Sequence, residues 1–426
     1  MHMADGFISP AAGCTMWAAS AAMTMLCARK VRQEKEMRLV PLMGVLGAFI
    51  FACQMLNFTI PGTGSSGHLG GGLILAILLG PYAGFLVMAA ILAVQALFFA
   101  DGGLLALGCN IFNMGFFSCL VAYPFIYRPL AGKHPGTGRI TLSSVTAAVI
   151  GLQMGAFAVV LETTASGISA LPFAQFVELM LPIHLAIGAV EGLATAAVVI
   201  FISKAQPSLL RPADLETGTA KKASWTVLGI FAVAALLCGA ALSWFASTYP
   251  DGLEWSVAGV TGSEEARLAE PSPLHQSLET VQAATAIMPD YAFPAGDGAN
   301  TAETESASSI VNPETSMAGV LGSAIIAALI FSAGFLFGRK PHSRCPRWPF
   351  PCRFLRTPRA NSAKWTGFPA EIPASTVWTP ALKSELSSSI KSASFPGLRR
   401  KSRGSCLSSC SRSASSAWRA FPWATF

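Results

Sequence analysis

Apolar runs of spanning length recur at about 9–28, 39–58, 82–100, 104–127, 140–163, 174–203, 226–247 and 318–338. Each is close to the ~20 residues that carry a helix across a bilayer core. A shorter run, at about 69–80, ends at Gly80-Pro81 and is long enough only for a partial helix. It reads as a descending piece, with 82–100 as the returning helix. The pattern predicts an all-α polytopic membrane bundle. About seven helical segments fall in residues 1–205 and two more helices in 226–338.

The polar positions between the runs give the expected orientation. Arg29–Arg38, then Arg128, Lys133 and Arg139, then Lys204, Arg211, Lys221 and Lys222, then Arg339 and Lys340 fall on one side if 69–80 and 82–100 both count as crossings. Basic loops stay cytoplasmic. The amino terminus, the 59–68 loop, Asp101-Gly102-Gly103, Glu162–Ala170 and 248–317 are then external, and 206–225 is a cytoplasmic linker. The first run has no basic residues ahead of it and a basic cluster behind it, unlike a cleaved signal peptide. Met1 and His2 are therefore expected in the mature protein, at the outer face of the plasma (bacterial inner) membrane.

Composition agrees with a membrane location. The chain has 426 residues, 52% hydrophobic and 12% charged, about half the charge of a soluble domain. The ten cysteines include no CxxC pair, which leaves a zinc ribbon or a disulfide framework without support. The net charge of +7 is segregated. Segment 248–317 holds eleven acidic residues and one Arg and reads as loosely folded, except at Pro250-Asp251-Gly252-Leu253-Glu254, where a turn leads into a short helix and Trp255 suits a membrane interface. Residues 339–426 are basic and rich in Ser, Arg and Pro, with no sustained period; an unstructured cytoplasmic extension is the favoured reading. No nucleic-acid partner is expected.

The candidate chemistry lies at the amino end. The α-amine of Met1, the amide nitrogen of His2 and the His2 imidazole can close a five- and a six-membered chelate ring on one metal. A deprotonated amide between two nitrogens enforces a planar arrangement that suits Ni²⁺, Cu²⁺ or low-spin cobalt better than Zn²⁺. A histidine at position 2 can also be accidental; the external loop then decides, because it offers His68 as the fourth nitrogen. That loop, Pro61–Gly72, is rich in glycine, which permits close backbone approach. No strand–helix unit surrounds its GxGxxG-like string, so a nucleotide site is excluded.

Other polar residues lie at membrane depth, where they are costly unless paired. Asn57, Gln95 and Asn110 are candidates for interhelical hydrogen bonds or for orienting the histidines. Asp5 could orient an imidazole, neutralise the cation or cap the first helix. His184 and Glu191 lie two turns apart on one helix face, with Gly188 between them, and suit either a polar helix contact or coupling. An intramembrane metal-dependent enzyme built on His184 and Glu191, or a structural subunit without metal, are the rival readings.

Several separated motifs resemble one family. They are Met1–Phe7, Asn57 with Pro61-Gly62-Thr63 and Gly67-His68-Leu69-Gly70-Gly71, Leu79-Gly80-Pro81, Gln95–Gly103, Asn110–Met114, and His184 with Gly188 and Glu191. Over about 1–205 the chain resembles the CbiM/NikM proteins, the substrate-binding membrane (S) components of cobalt and nickel energy-coupling-factor (ECF) transporters. Residues 226–338, with their PDGLE element, are similar to the CbiN/NikN accessory component. The resemblance implies a transport component rather than an enzyme. Ni²⁺ or Co²⁺ is the carried substrate, held by Met1, His2 and His68, with no organic cofactor. The implied partners are a transmembrane coupling (T) subunit and ABC ATPases, with cobalt uptake serving cobalamin synthesis. The chain has no Walker A sequence, so energy would be supplied in trans.

Overall fold

A computed structural model describes residues 2–33, 39–169, 171–210, 225–263, 271–293 and 312–338. Met1, most of the expected linker, parts of the acidic segment and the basic tail lie outside these residues. Seven helices make up the first part: α1 (Pro10–Gln33), α2 (Val40–Gln54), α3 (Gly72–Leu79), α4 (Pro81–Phe98), α5 (Leu107–Ala131), α6 (Thr137–Ser166) and α7 (Phe173–Ala205). The second part adds α8 (Trp225–Ala240), α9 (Gly252–Thr261), α10 (Pro273–Thr285) and α11 (Pro313–Gly338).

Six helices, α1, α4, α5, α6, α7 and α11, are long and apolar enough to cross a membrane; α2 and α8 are apolar but shorter. At 15 and 16 residues these two extend only about 23–24 Å. The protein is a multi-pass membrane protein. Large apolar side chains such as Leu185, Leu193 and Phe201 on α7 and Met25 and Leu26 on α1 face outward, as lipid contact requires.

The short run after His68 folds as expected into a partial helix. All eight residues of α3 are buried, and the chain reverses at Gly80-Pro81 into α4. Proline fits this first turn because an N–H there would lack a helical partner. α3 lies in the middle of the bundle, against α2, α4, α5 and α7. α6 and α7 pack as a close pair. A side chain at Gly188 would put its Cβ 3.0 Å from the Val149 Cα, so the glycine between His184 and Glu191 permits the helix contact its position suggested.

The second part is built onto the first. α2 packs against both α8 and α11, with Phe49 and Phe231 rings 5.2 Å apart and Ser323 Oγ donating to the Ala48 carbonyl at 3.2 Å.

The acidic segment differs from its expected loose state. Besides α9 at the PDGLE element it contains α10, and α10 with the residues after it lines the α4–α5 connection. Gln282 Nε2 donates to the carbonyls of Ala96 (2.9 Å) and Gly102 (2.8 Å). The amides of Ile287 and Asp290 donate to Phe98 and Phe99 at 2.9 and 2.8 Å. The carbonyls of Ala96, Phe98 and Phe99 lie at the end of α4, where such groups have no helical partner of their own. Composition hides this, because α10 and the residues after it reach the connection through the Gln282 amide and main-chain N–H groups rather than through apolar side chains.

Candidate metal centre

Two short strands, β1 (Phe58–Ile60) and β2 (Ser65–Gly67), pair antiparallel with Phe58 opposite Gly67 and Ile60 opposite Ser65. This hairpin delivers His68. The residues after it are held from two sides, one of them braced by a third side chain. Glu191 on α7 accepts the amides of Gly70 and Gly71 at 3.2 and 3.1 Å. Gln54 on α2 donates to the Gly70 carbonyl at 2.8 Å, and Gln95 on α4 donates to Gln54 Oε1 at 2.9 Å. Buried amides and carboxylates are tolerated when paired in this way.

The amino end is fixed by a separate set of contacts. Asn110 Oδ1 accepts the Met3 amide at 2.8 Å, and its Nδ2 donates to the Met3 carbonyl at 3.1 Å. The Gly103 amide also donates to that carbonyl, at 2.9 Å. Met3 is fully buried, as is Ile8. Asp5 Oδ1 accepts the Ala106 amide at 2.9 Å, at the start of α5. Burial raises the Asp5 carboxyl above its usual range, opposed by main-chain hydrogen bonds. Asp5 thus braces the turn that leads into α5.

The two anchors bring His2 to His68. Their rings stack with centroids 5.1 Å apart and an interplanar angle of 12°. His2 Nδ1 lies 2.9 Å from Asp101 Oδ1, while its buried Nε2 has no hydrogen-bond partner among the described residues. Tyr291 donates its hydroxyl to Asp101 Oδ2 at 2.5 Å. Removal from water would raise the Asp101 carboxyl, but His2 and Tyr291 outweigh it and hold it at about 2. His68 is pushed down to about 3, chiefly by desolvation. Its imidazole is therefore neutral at ordinary pH, the form that binds metals. Among the described residues no three His, Cys, Asp or Glu side chains gather as a metal cage. A metal held here would have to draw on main-chain nitrogen.

Residues 2–209 match the CbiM family, described as the cobalt uptake substrate-specific transmembrane region, and residues 225–339 match the PDGLE domain. A protein of Archaeoglobus fulgidus named as a fused nickel transport protein, NikMN, is 32% identical over 339 residues, covering 78% of this chain and 97% of that one. One of Haloquadratum walsbyi, named as a metal transport protein, is 38% identical over 219 residues, covering 49% of this chain and 93% of its own. A crystal structure of a truncated transition metal transporter is 32% identical, covering 48% of this chain and 99% of that one, with a TM-score of 0.43. The chain belongs to the CbiM/NikMN family of nickel and cobalt transport proteins.

In this fused CbiM–PDGLE chain the PDGLE strip lies against the His68 hairpin. The Ser66 amide donates to the Pro250 carbonyl at 2.8 Å, and Ser66 Oγ to that of Tyr249 at 2.8 Å. The Asn57 carbonyl accepts the Ser247 amide at 2.7 Å, so the contact comes from its main chain. Asp251 Oδ1 caps α9 through the amides of Leu253 and Glu254. Trp255 donates its Nε1 to the Thr63 carbonyl at 2.9 Å.

Sequence reasoning missed Asp101, Tyr291 and Asp251 as site residues. Asp101 stands in the Gln95–Gly103 motif and could have been found there. Tyr291 carried no signal, because its partner lies 190 positions away. Glu191, part of the rival enzyme reading, has both oxygens on main-chain amides. His184 is turned to the Met180 carbonyl, with Nδ1 at 2.7 Å. The two side chains serve separate partners, and the relatives named above are described as transport proteins.

Proposed function

We propose that this chain is the substrate-capturing component of a metal importer. It takes up Ni²⁺ or Co²⁺ at the outer face of the cell membrane, with the Met1 amine, the His2 amide and imidazole, and His68 as ligands. The observation that carries the reading is the 5.1 Å stacking of His2 on His68, two residues 66 positions apart that separate anchors bring together. The six-membered chelate ring uses His2 Nδ1, the atom now facing Asp101. Capture therefore exchanges that contact for the metal and leaves the carboxylate beside the cation, where it offsets charge. Asn110 and Gln95 act by holding the amino end and the loop in register, as supporting hydrogen bonds do around metal ligands.

The orientation rests on basic loops, which put the amino end outside and the tail inside. ATP hydrolysis is assigned to separate ATPases, joined through a T subunit of the ECF type. Planar nitrogen ligation and the fused architecture shared with the nickel-named relative favour nickel. Were cobalt the cargo, the product would feed cobalamin synthesis.

The substitution His68→Ala tests the reading. It should weaken Ni²⁺ binding by the purified, untagged chain on the order of a hundredfold and abolish uptake without lowering the amount in the membrane. Wild-type uptake by H68A would place the fourth ligand elsewhere.

A further inference from the structure

Among the described residues only three that are not glycine hold the left-handed backbone conformation: Ala100 (φ 55°), Asp290 (φ 50°) and Tyr291 (φ 61°). They flank a single hydrogen bond. Ala100 precedes Asp101, and the Tyr291 hydroxyl donates to Asp101 Oδ2 at 2.5 Å. A Cβ makes this conformation costly, so it persists only where the surroundings dictate it, and such positions gather at ligand clamps. Both ends of the bond are fixed by their surroundings. The Asp101 amide donates to the Gln95 carbonyl at 3.1 Å, the Asp290 amide to that of Phe99 at 2.8 Å and the Tyr291 amide to that of Met288 at 3.1 Å. The Tyr291 ring stacks on Phe99 with centroids 5.0 Å apart, and the Phe51 ring of α2 is 6.4 Å away.

A partly buried tyrosine needs an acceptor for its hydroxyl, but that need alone does not call for unfavourable backbone at three positions. The other oxygen of Asp101 gives the contact its meaning. Oδ1 lies 2.9 Å from His2 Nδ1, so the hydroxyl fixes the plane of a carboxylate whose other side addresses the imidazole. Asn110 fixes the main chain next to His2; the direction of the ring is left to side-chain contacts. We propose that Tyr291, in the PDGLE-bearing part of the chain, is a positioning residue for metal capture, acting through Asp101 to set the direction of the His2 imidazole before the ion arrives. Tyr291 is not itself a ligand. Partners of this kind orient metal-binding histidines, and an imidazole already in place loses less freedom on binding. The proposal rests on the capture reading above, because the ligand being positioned is His2.

The test is calorimetric titration of Ni²⁺ into the untagged full chain and into its variants Y291F, D101A, D101A/Y291F and H2Q. Phe keeps the ring that stacks on Phe99 and removes only the hydroxyl. Y291F should bind roughly tenfold or more weakly than the native chain, and D101A/Y291F should match D101A within about twofold. In the metal-free chain carrying nitrogen-labelled histidine, Y291F should shift the His2 Nδ1 resonance and leave those of His275 in place. A merely structural loss would not single out His2, and a His2 resonance that stays put overturns the proposal. H2Q, which removes the imidazole, should lose tight binding. If H2Q loses it while Y291F binds as the native chain does, the proposal is overturned and the capture reading stands. If Y291F costs as much in the D101A background as in the native one, the hydroxyl does not act through Asp101, and the proposal is again overturned. Native affinity in H2Q overturns the capture reading and the proposal with it. Should Y291F not fold, D101N takes its place. The single acceptor oxygen of Asn replaces the two that Tyr291 and His2 occupy, so the same loss is expected, and native affinity overturns the proposal.

Discussion

Two side chains carry more of the site than their chemistry suggests. Asn110 bonds both the amide and the carbonyl of Met3 and so helps set where His2 lies. Asn110→Ala should leave the Met3 amide without its partner, costing roughly 1–3 kcal/mol and weakening metal binding about 10–100-fold; thermal unfolding in detergent and calorimetric titration measure the two. Glu191 does the same for the His68 loop. Glu191→Ala orphans the Gly70 and Gly71 amides and should destabilise by a similar roughly 1–3 kcal/mol, whereas Glu191→Gln, which keeps one acceptor oxygen, should lose less. Equal losses in both variants would mean that the carboxylate charge, not the acceptor geometry, matters. His2, His68, Asn110 and Glu191 were all visible in the sequence, because a polar group in an apolar run has to be explained. What each one touches was not visible: Asn110 bonds across 107 positions and Glu191 across about 120, and no local pattern encodes such pairings.

At the scale of elements, hydrophobic periodicity revealed the long helices and even the half-length α3, whose boundaries are a glycine-rich loop and Gly80-Pro81. It could not reveal α10 or the β1–β2 hairpin. A three-residue strand of Ser65-Ser66-Gly67 has no alternating apolar signature, and its partner strip, Tyr249–Asp251, lies in an acidic segment that looks unfolded by composition. Trp255 joins the two through the Thr63 carbonyl. Trp255→Ala should loosen this contact and speed hydrogen exchange at residues 63–67, above all at the Ser66 amide that donates to Pro250, while helices α4–α7 keep their protection. Unchanged exchange at Ser66 would show that the strip holds the hairpin without the indole.

For the whole molecule, the fused second part is both a membrane neighbour of α2 and a cover over the site. α8 and α11 flank α2, and Tyr291 reaches Asp101. A protease site placed in 211–224 and cut in the membrane should leave the two parts eluting together in mild detergent; separation after cutting would mean that the linker alone joins them. The account's central claim is that the first nitrogen of the chain is a ligand. The most direct measurement is calorimetric titration of Ni²⁺ into the untagged chain and into the same chain with one residue added before Met1. Extension turns the amine into an amide and removes one corner of the chelate, so binding should weaken by on the order of a hundredfold or more. Equal affinity in the two proteins would contradict the claim and leave the His2–His68 pair without its metal.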